Sequence, residues 1–160
     1  MTTYPRLVAG VALVSGSRPA AEDAVQEALL RAWERSENGM EVESLSAWVA
    51  AVSLNLARSG LRRVIAERKA RGRLDVRATP PRDPDAAQRV DIERALATLP
   101  RRQREVVVLR YYLQMGTREV ASTLGIQEGT VKSTLSRARE KLAAALGIHD
   151  IEEATDRGEA

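Results

Sequence analysis

Three residues at fixed spacing constrain this chain most. Ala121 is followed four residues later by Gly125, and Val131 lies six residues beyond that. Two helices that cross at a tight turn need a small residue at the crossing. They also need a residue tolerant of positive φ at the turn, and an apolar residue on the second helix that faces back. Ala121, Gly125 and Val131 meet these needs in order, and Leu124, Ile126 and Leu135 complete a small core. The segment is therefore read as a helix-turn-helix. Thr117 is expected to cap the first helix and Gly125 to end it. The second helix is expected from about Glu128 to Leu146, with Gly147 as its stop. Val131, Leu135, Ala138 and Leu142 form its inward stripe. Its opposite side offers Thr130, Lys132, Ser133, Ser136, Arg137 and Glu140.

The rest of the chain points to the same kind of architecture. Its apolar residues are mostly Ala, Leu and Val, with no Phe, and Ala and Leu are strong helix formers. An all-α fold follows, in two small helical domains joined by a Pro-containing linker. The C-terminal domain is expected to be a four-helix helix-turn-helix domain. Residues 74–88 hold Pro80, Pro81 and Pro84, half of all the prolines, and show almost no apolar periodicity, so they read as the linker. The expected divisions are 1–73, 74–88, 89–147 and an acidic tail, 148–160.

Three helices are expected before the linker: about Tyr4 to Val14, from after Pro19 to about Arg35, and about Ser46 to Arg71. On the second, Val25, Ala28, Leu29, Ala32 and Trp33 fall on one stripe at helical spacing and read as core. On the third, Trp48, Val49, Val52, Leu56 and Leu61 do the same. Both tryptophans are expected inside. After the linker, a helix over about Ala86 to Thr98 turns Val90, Ala95 and Leu96 inward. Pro100 opens the next, which carries Val106, Leu109, Tyr112 and Leu113 and stops near Met115-Gly116.

Charge is distributed in blocks. Residues 58–82 carry nine basic and two acidic side chains, and residues 99–147 carry nine and four. Acidic segments flank both, a pattern that fits two separate contacts with a polyanion as well as plain solubilising charge. There is no Cys, and the single His149 lies in a polar tail. Disulfides and thiol chemistry are excluded, no metal or other cofactor is expected, and an enzyme is not expected. No apolar run approaches the roughly 18 residues of a membrane span, so a cytoplasmic protein is expected.

The second helix of the helix-turn-helix should present its N-terminal residues to base edges. Lys132 and Arg137 can donate to guanine or to phosphate. Gly129 and Thr130 sit at the positive end of the helix dipole, where backbone N–H groups can hold a phosphate. Arg118 would lie over the same backbone. Arg101, Arg102, Arg104, Arg139 and Lys141 are expected to add sequence-independent attraction.

Two motif blocks carry a family resemblance. Leu99-Pro-Arg-Arg-Gln-Arg-Glu-Val-Val-Val-Leu-Arg-Tyr, then Glu119-Val-Ala-Ser-Thr-Leu-Gly and Gly129-Thr-Val-Lys-Ser-Thr-Leu-Ser-Arg-Ala-Arg-Glu-Lys-Leu, resemble region four of bacterial RNA polymerase sigma factors. The likeness is to the small extracytoplasmic-function group. Ala21-Glu-Asp-Ala-Val-Gln-Glu-Ala-Leu-Leu-Arg-Ala-Trp, Ala47-Trp, Asn55-Leu-Ala and Leu61-Arg-Arg resemble region two of that group. Relatives usually carry more helix ahead of the Tyr4-Pro5 motif, so the first helix reads as short.

The resemblance implies a sigma factor that binds core RNA polymerase and directs it to promoters to initiate transcription. It implies that Asp23, Gln26, Glu27, Leu30 and Glu34 meet the large clamp subunit of core polymerase. It places Asn38, Gly39, Met40, Asn55, Arg58, Arg62 and Arg63 at the minus-ten strand. Arg118, Gly129, Thr130, Lys132, Ser133, Ser136, Arg137 and Lys141 then serve the minus-thirty-five element and its phosphates. The flap of the other large subunit and an anti-sigma factor are further implied partners. Two other readings fit parts of the chain. A stand-alone helix-turn-helix regulator would not need Asp23, Gln26 and Glu27. A sigma-like mimic that sequesters an anti-sigma factor would lose the basic readers that this chain retains.

Overall fold

The computed structural model describes residues 4–39, 44–70 and 86–147, with side chains at 4–39, 44–60 and 91–147. Expectations that rest on Met40, on the side chains of Leu61, Arg62, Arg63 and Val90, on the linker's prolines and on the acidic tail lie outside the described residues. Every element among the described residues is helical: α1 (Tyr4–Ser15), α2 (Arg18–Glu37), α3 (Leu45–Ala70), α4 (Ala86–Thr98), α5 (Arg101–Val107), α6 (Thr117–Leu124) and α7 (Glu128–Leu146). A π-helical segment, Val108–Tyr112, continues α5.

Local chemistry sets most of the ends. Ser17 caps α2 by accepting from the Ala20 N–H, with Pro19 in the first turn. Asn38 ends α2, and Gly39 follows at φ 71°. Thr117 does not cap α6. Gly116 occupies that position in extended conformation, and Thr117 is the first helical residue, one place too late for a capping hydroxyl.

α1, α2 and α3 pack as one body. α1 contributes Leu7, Val8, Val11 and Val14, and α3 contributes Val49, Ala50, Leu54 and Ala57. The buried face of α2 is Ala21, Ala24, Val25, Ala28 and Ala32. This corrects the expected stripe, because Leu29 is exposed and Trp33 is 68% exposed. The apolar positions of α2 span a wide arc, and burial is centred on its alanine side. Alanines let neighbouring helices approach closely and leave no volume for an indole. α3 is also turned from expectation: Val49 is buried, but Trp48, Val52 and Leu56 are only partly so.

In the second half, Ala95 and Leu96 of α4 are buried as expected, as are Val106, Leu109 and Leu113. Tyr112 instead stays exposed. Arg104 ties α4 to α5 by donating to the carbonyls of Leu96 (2.8 Å), Ala97 (2.9 Å) and Leu99 (3.2 Å), near the end of α4. Burial lowers its guanidinium pKa from the ordinary value, and the neighbouring Glu105 carboxylate opposes that shift.

The two halves pack against each other and share one apolar core. Gly10 of α1 faces Leu113, and a Cβ placed there would stand 3.1 Å from Leu113 Cδ2. Arg6 donates its Nε to the Tyr112 carbonyl at 2.9 Å, and Ser44 donates to Glu119 at 3.0 Å.

Candidate nucleic-acid interface

The helix-turn-helix is built as its spacing requires. Ala121 is 5% exposed and Val131 fully buried at the crossing of α6 and α7. Gly125 takes φ 62° and ψ 44°, a left-handed conformation costly for a residue with a Cβ. The Ile126 N–H then donates to the Ala121 carbonyl at 3.0 Å, which closes α6 and turns the chain. Leu135 and Ala138 continue the buried side of α7, and Leu142 packs partly against the core.

With that side buried, the opposite side of α7 is presented outward. Gly129, Thr130, Lys132, Ser133, Ser136, Arg137, Arg139, Glu140 and Lys141 are all exposed. Residues 129, 132, 133, 136, 137 and 140 recur at three- and four-residue spacing, so they form one continuous stripe. The cap residue Gln127 makes no side-chain cap, which leaves the Glu128 and Gly129 N–H groups available to an anion, whereas the Thr130 N–H donates to the Gln127 carbonyl at 3.0 Å. Ser133 Oγ donates back to the Thr130 carbonyl at 3.2 Å, so its lone pairs face outward as acceptors. Arg118, 92% exposed, reaches Glu128 at 3.4 Å and stands beside the start of α7. The structure thus brings the eight expected residues of this set onto one end and one face of the module.

Not every expected cation is available. Arg102 donates to the Leu124 carbonyl at 2.9 Å and pairs with Glu105, and Arg104 holds the carbonyls near the end of α4. Arg101 pairs with Glu105 at 3.3 Å. These three stabilise the fold rather than standing free for a polyanion, because helical spacing aligns Arg101 and Arg102 with a buried carboxylate one turn on.

On α2, Asp23, Gln26, Leu30 and Glu34 are exposed, and the half-buried Glu27 is held by Arg31 at 2.7 Å. Leu29, Leu30 and Trp33 lie alongside them, exposed together. The sequence reading missed Leu29 and Trp33 as surface residues. Their spacing from Gln26, three and seven residues, is the signal that could have placed them there. Of the residues expected at the minus-ten strand, Asn38 and Gly39 are exposed at the end of α2. Asn55 Oδ1 accepts from Arg58 Nη1 at 2.9 Å on α3. Arg58 also pairs with Glu105, 2.7 Å from Nη2 to Oε2.

Residues 1–65 match the family described as Sigma-70 region 2, and residues 89–142 match Sigma-70, region 4. Over 139 residues the chain is 38% identical to the ECF RNA polymerase sigma factor SigL of Mycobacterium tuberculosis, covering 83% of this chain and 78% of that protein. The chain belongs to the extracytoplasmic-function group of RNA polymerase sigma factors. The co-crystal structure of the sigma factor RpoE with the anti-sigma factor NepR from Bartonella quintana superposes on this sigma factor with a TM-score of 0.77. The two are 30% identical, over 91% of this chain and 92% of that one. The probable RNA polymerase sigma factor RfaY of Xanthomonas campestris is 34% identical over 149 residues. The match takes in 87% of this chain but only 37% of that longer protein. Within this sigma factor the region-four match takes in all of α5, α6 and the exposed stripe of α7, and the region-two match takes in α1, α2 and most of α3.

Proposed function

We propose that this sigma factor binds core RNA polymerase through α2 and selects promoters by laying α7 in the major groove of the minus-thirty-five element. The observation that carries this reading is the α7 stripe. It is uncovered along its length, carries cationic and hydroxyl side chains, and belongs to a region-four match. Lys132 and Arg137 act as donors to guanine or phosphate, Ser133 and Ser136 as short polar readers, and Gly129, Thr130, Arg118 and Lys141 as phosphate contacts. Residues 1–73 serve core binding and the minus-ten element, residues 74–88 connect, and residues 89–147 serve the minus-thirty-five element. The working place of such a protein is the cytoplasm, with the polymerase.

On α2 the acidic rim of Asp23, Glu27 and Glu34 surrounds Leu30 and its apolar neighbours. That arrangement suits a basic helical partner with an apolar anchor, as the clamp subunit's coiled coil would provide. Asn38, Gly39, Met40, Asn55, Arg58, Arg62 and Arg63 are assigned to the melted minus-ten strand. The flap of the other large subunit is assigned to the region-four half. An anti-sigma factor is a further proposed partner, since the related RpoE structure holds one. A stand-alone regulator has no use for the region-two half.

Core binding is tested by size-exclusion chromatography of the chain with core polymerase. Wild type co-elutes, and Asp23→Arg with Glu27→Arg does not. Co-elution of the charge-reversed variant at wild-type affinity would remove α2 as the docking face.

A further inference from the structure

Glu105 is the most deeply buried charged side chain among the described residues, at 1% exposure. A carboxylate so placed is costly unless fully paired. Its pairing is unequal. Arg58, from the other half of the chain, grips it with both ends of its fork: Nε to Oε1 at 2.9 Å and Nη2 to Oε2 at 2.7 Å. Arg101 and Arg102, from its own helix, stand further off at 3.3 Å each.

We propose that Arg58 and Glu105 form a latch that holds the two halves of the free chain together and keeps Arg58 from nucleic acid until the halves part. The second half of the statement rests on the strand-contact role proposed above for Arg58. A planar guanidinium engages a carboxylate and a phosphate with the same two-pronged geometry, so it cannot serve both at once. Glu105 therefore occupies the place a strand phosphate would take.

The arrangement is built to release. When Arg58 leaves, Glu105 keeps Arg101 and Arg102, so no carboxylate is left orphaned inside the second half. On its own side, Arg58 keeps its bond to Asn55 Oδ1, which holds the guanidinium on the exposed edge of α3 beside another proposed strand contact. A small crevice lined by Val14, Ser15, Leu54, Ala57, Arg58 and Arg101 lies beside the arginine of the pair. The contacts around it, Arg6 on the Tyr112 carbonyl, Ser44 on Glu119 and Arg104 on the Val14 carbonyl at 3.4 Å, are hydrogen bonds between side chains or to backbone. Water can replace each of them, so parting the halves costs chiefly the apolar contact they share, Gly10 against Leu113 within it.

The chain has no cysteine, so Ser36→Cys and Ala145→Cys, both at exposed positions, give clean labelling sites for energy transfer between the halves. The free wild-type chain should show mainly the short distance, with about a tenth of the molecules open. Glu105→Gln, and separately Arg58→Ala, should add a long-distance population while circular dichroism stays helical. Arg58→Ala leaves Glu105 with its two local partners and so guards against misfolding of the first variant. The two effects should not add in the double variant, because they break one pair. In parallel, anisotropy with a single-stranded minus-ten oligonucleotide should show roughly tenfold tighter binding by Glu105→Gln than by wild type. That is the gain expected when a competent fraction of about a tenth approaches one. The gain should vanish in the double variant. Folded variants that keep the wild-type distance overturn the latch, even if Arg58→Ala impairs initiation by the assembled holoenzyme. Opening without any gain in strand binding overturns the masking. If Arg58→Ala is then also silent in the holoenzyme, the strand-contact role itself is lost.

Discussion

Two glycines of the helix-turn-helix show how little the residue type alone reveals. Gly125 has φ 62°, with nothing within 4 Å of where a Cβ would stand, so only its backbone conformation demands glycine. Gly129 lies in helical conformation in the first turn of α7, also with open space around it. Gly125→Ala should destabilise the fold by about 1 kcal/mol in urea unfolding, through left-handed strain. Gly129→Ala should stabilise it by roughly 0.5 kcal/mol, because alanine is the better helix former. The same change should weaken holoenzyme binding to promoter DNA by about 1 kcal/mol, since a methyl stands between the first-turn N–H groups and a phosphate. Equal effects of the two substitutions on folding would contradict this distinction. Gly125, Ala121 and Val131 were legible in the sequence because turn geometry and helix crossing are set within a few residues. Glu105 was not: its two nearby arginines sit at helical spacing, but Arg58 is 47 residues away and no local pattern joins them.

At the scale of elements, the ends of the helices were the readable part and their faces less so. Gly39, Gly125 and Gly147 mark the stops, and each has positive φ. The faces depend on the volume of what packs opposite, which periodicity does not contain. α2 shows this best: its stripe was wide enough to include Trp33, but a face of alanines drew the neighbours close and left the indole outside. The consequence is an apolar anchor on the proposed core-binding surface larger than Leu30 alone. Leu30→Ala and Trp33→Ala should each leave folding stability within about 0.5 kcal/mol, because both side chains are exposed. Each should weaken competition for core polymerase by about 2 kcal/mol, as buried interface anchors do. A large loss of stability with unchanged core affinity would mean that these residues serve the fold after all.

For the whole molecule, the sequence pointed to two helical bodies but was silent on how they meet. The shared core across Gly10 and Leu113, the Arg6 and Ser44 bonds and the Arg58–Glu105 pair join residues far apart in the chain. One half carries the proposed polymerase-docking face and the other the proposed promoter-reading face, so the two activities should separate by mutation. The direct test is transcription in vitro by core polymerase with this sigma factor, on a pool of promoters that vary in the minus-thirty-five element. Wild type should select a narrow set. Lys132→Ala with Arg137→Ala should bind core as wild type does and lose that selection, each base contact contributing about 1–3 kcal/mol. Unchanged selection by the double variant, or tight site-specific binding by the free chain that core polymerase does not alter, would contradict the account.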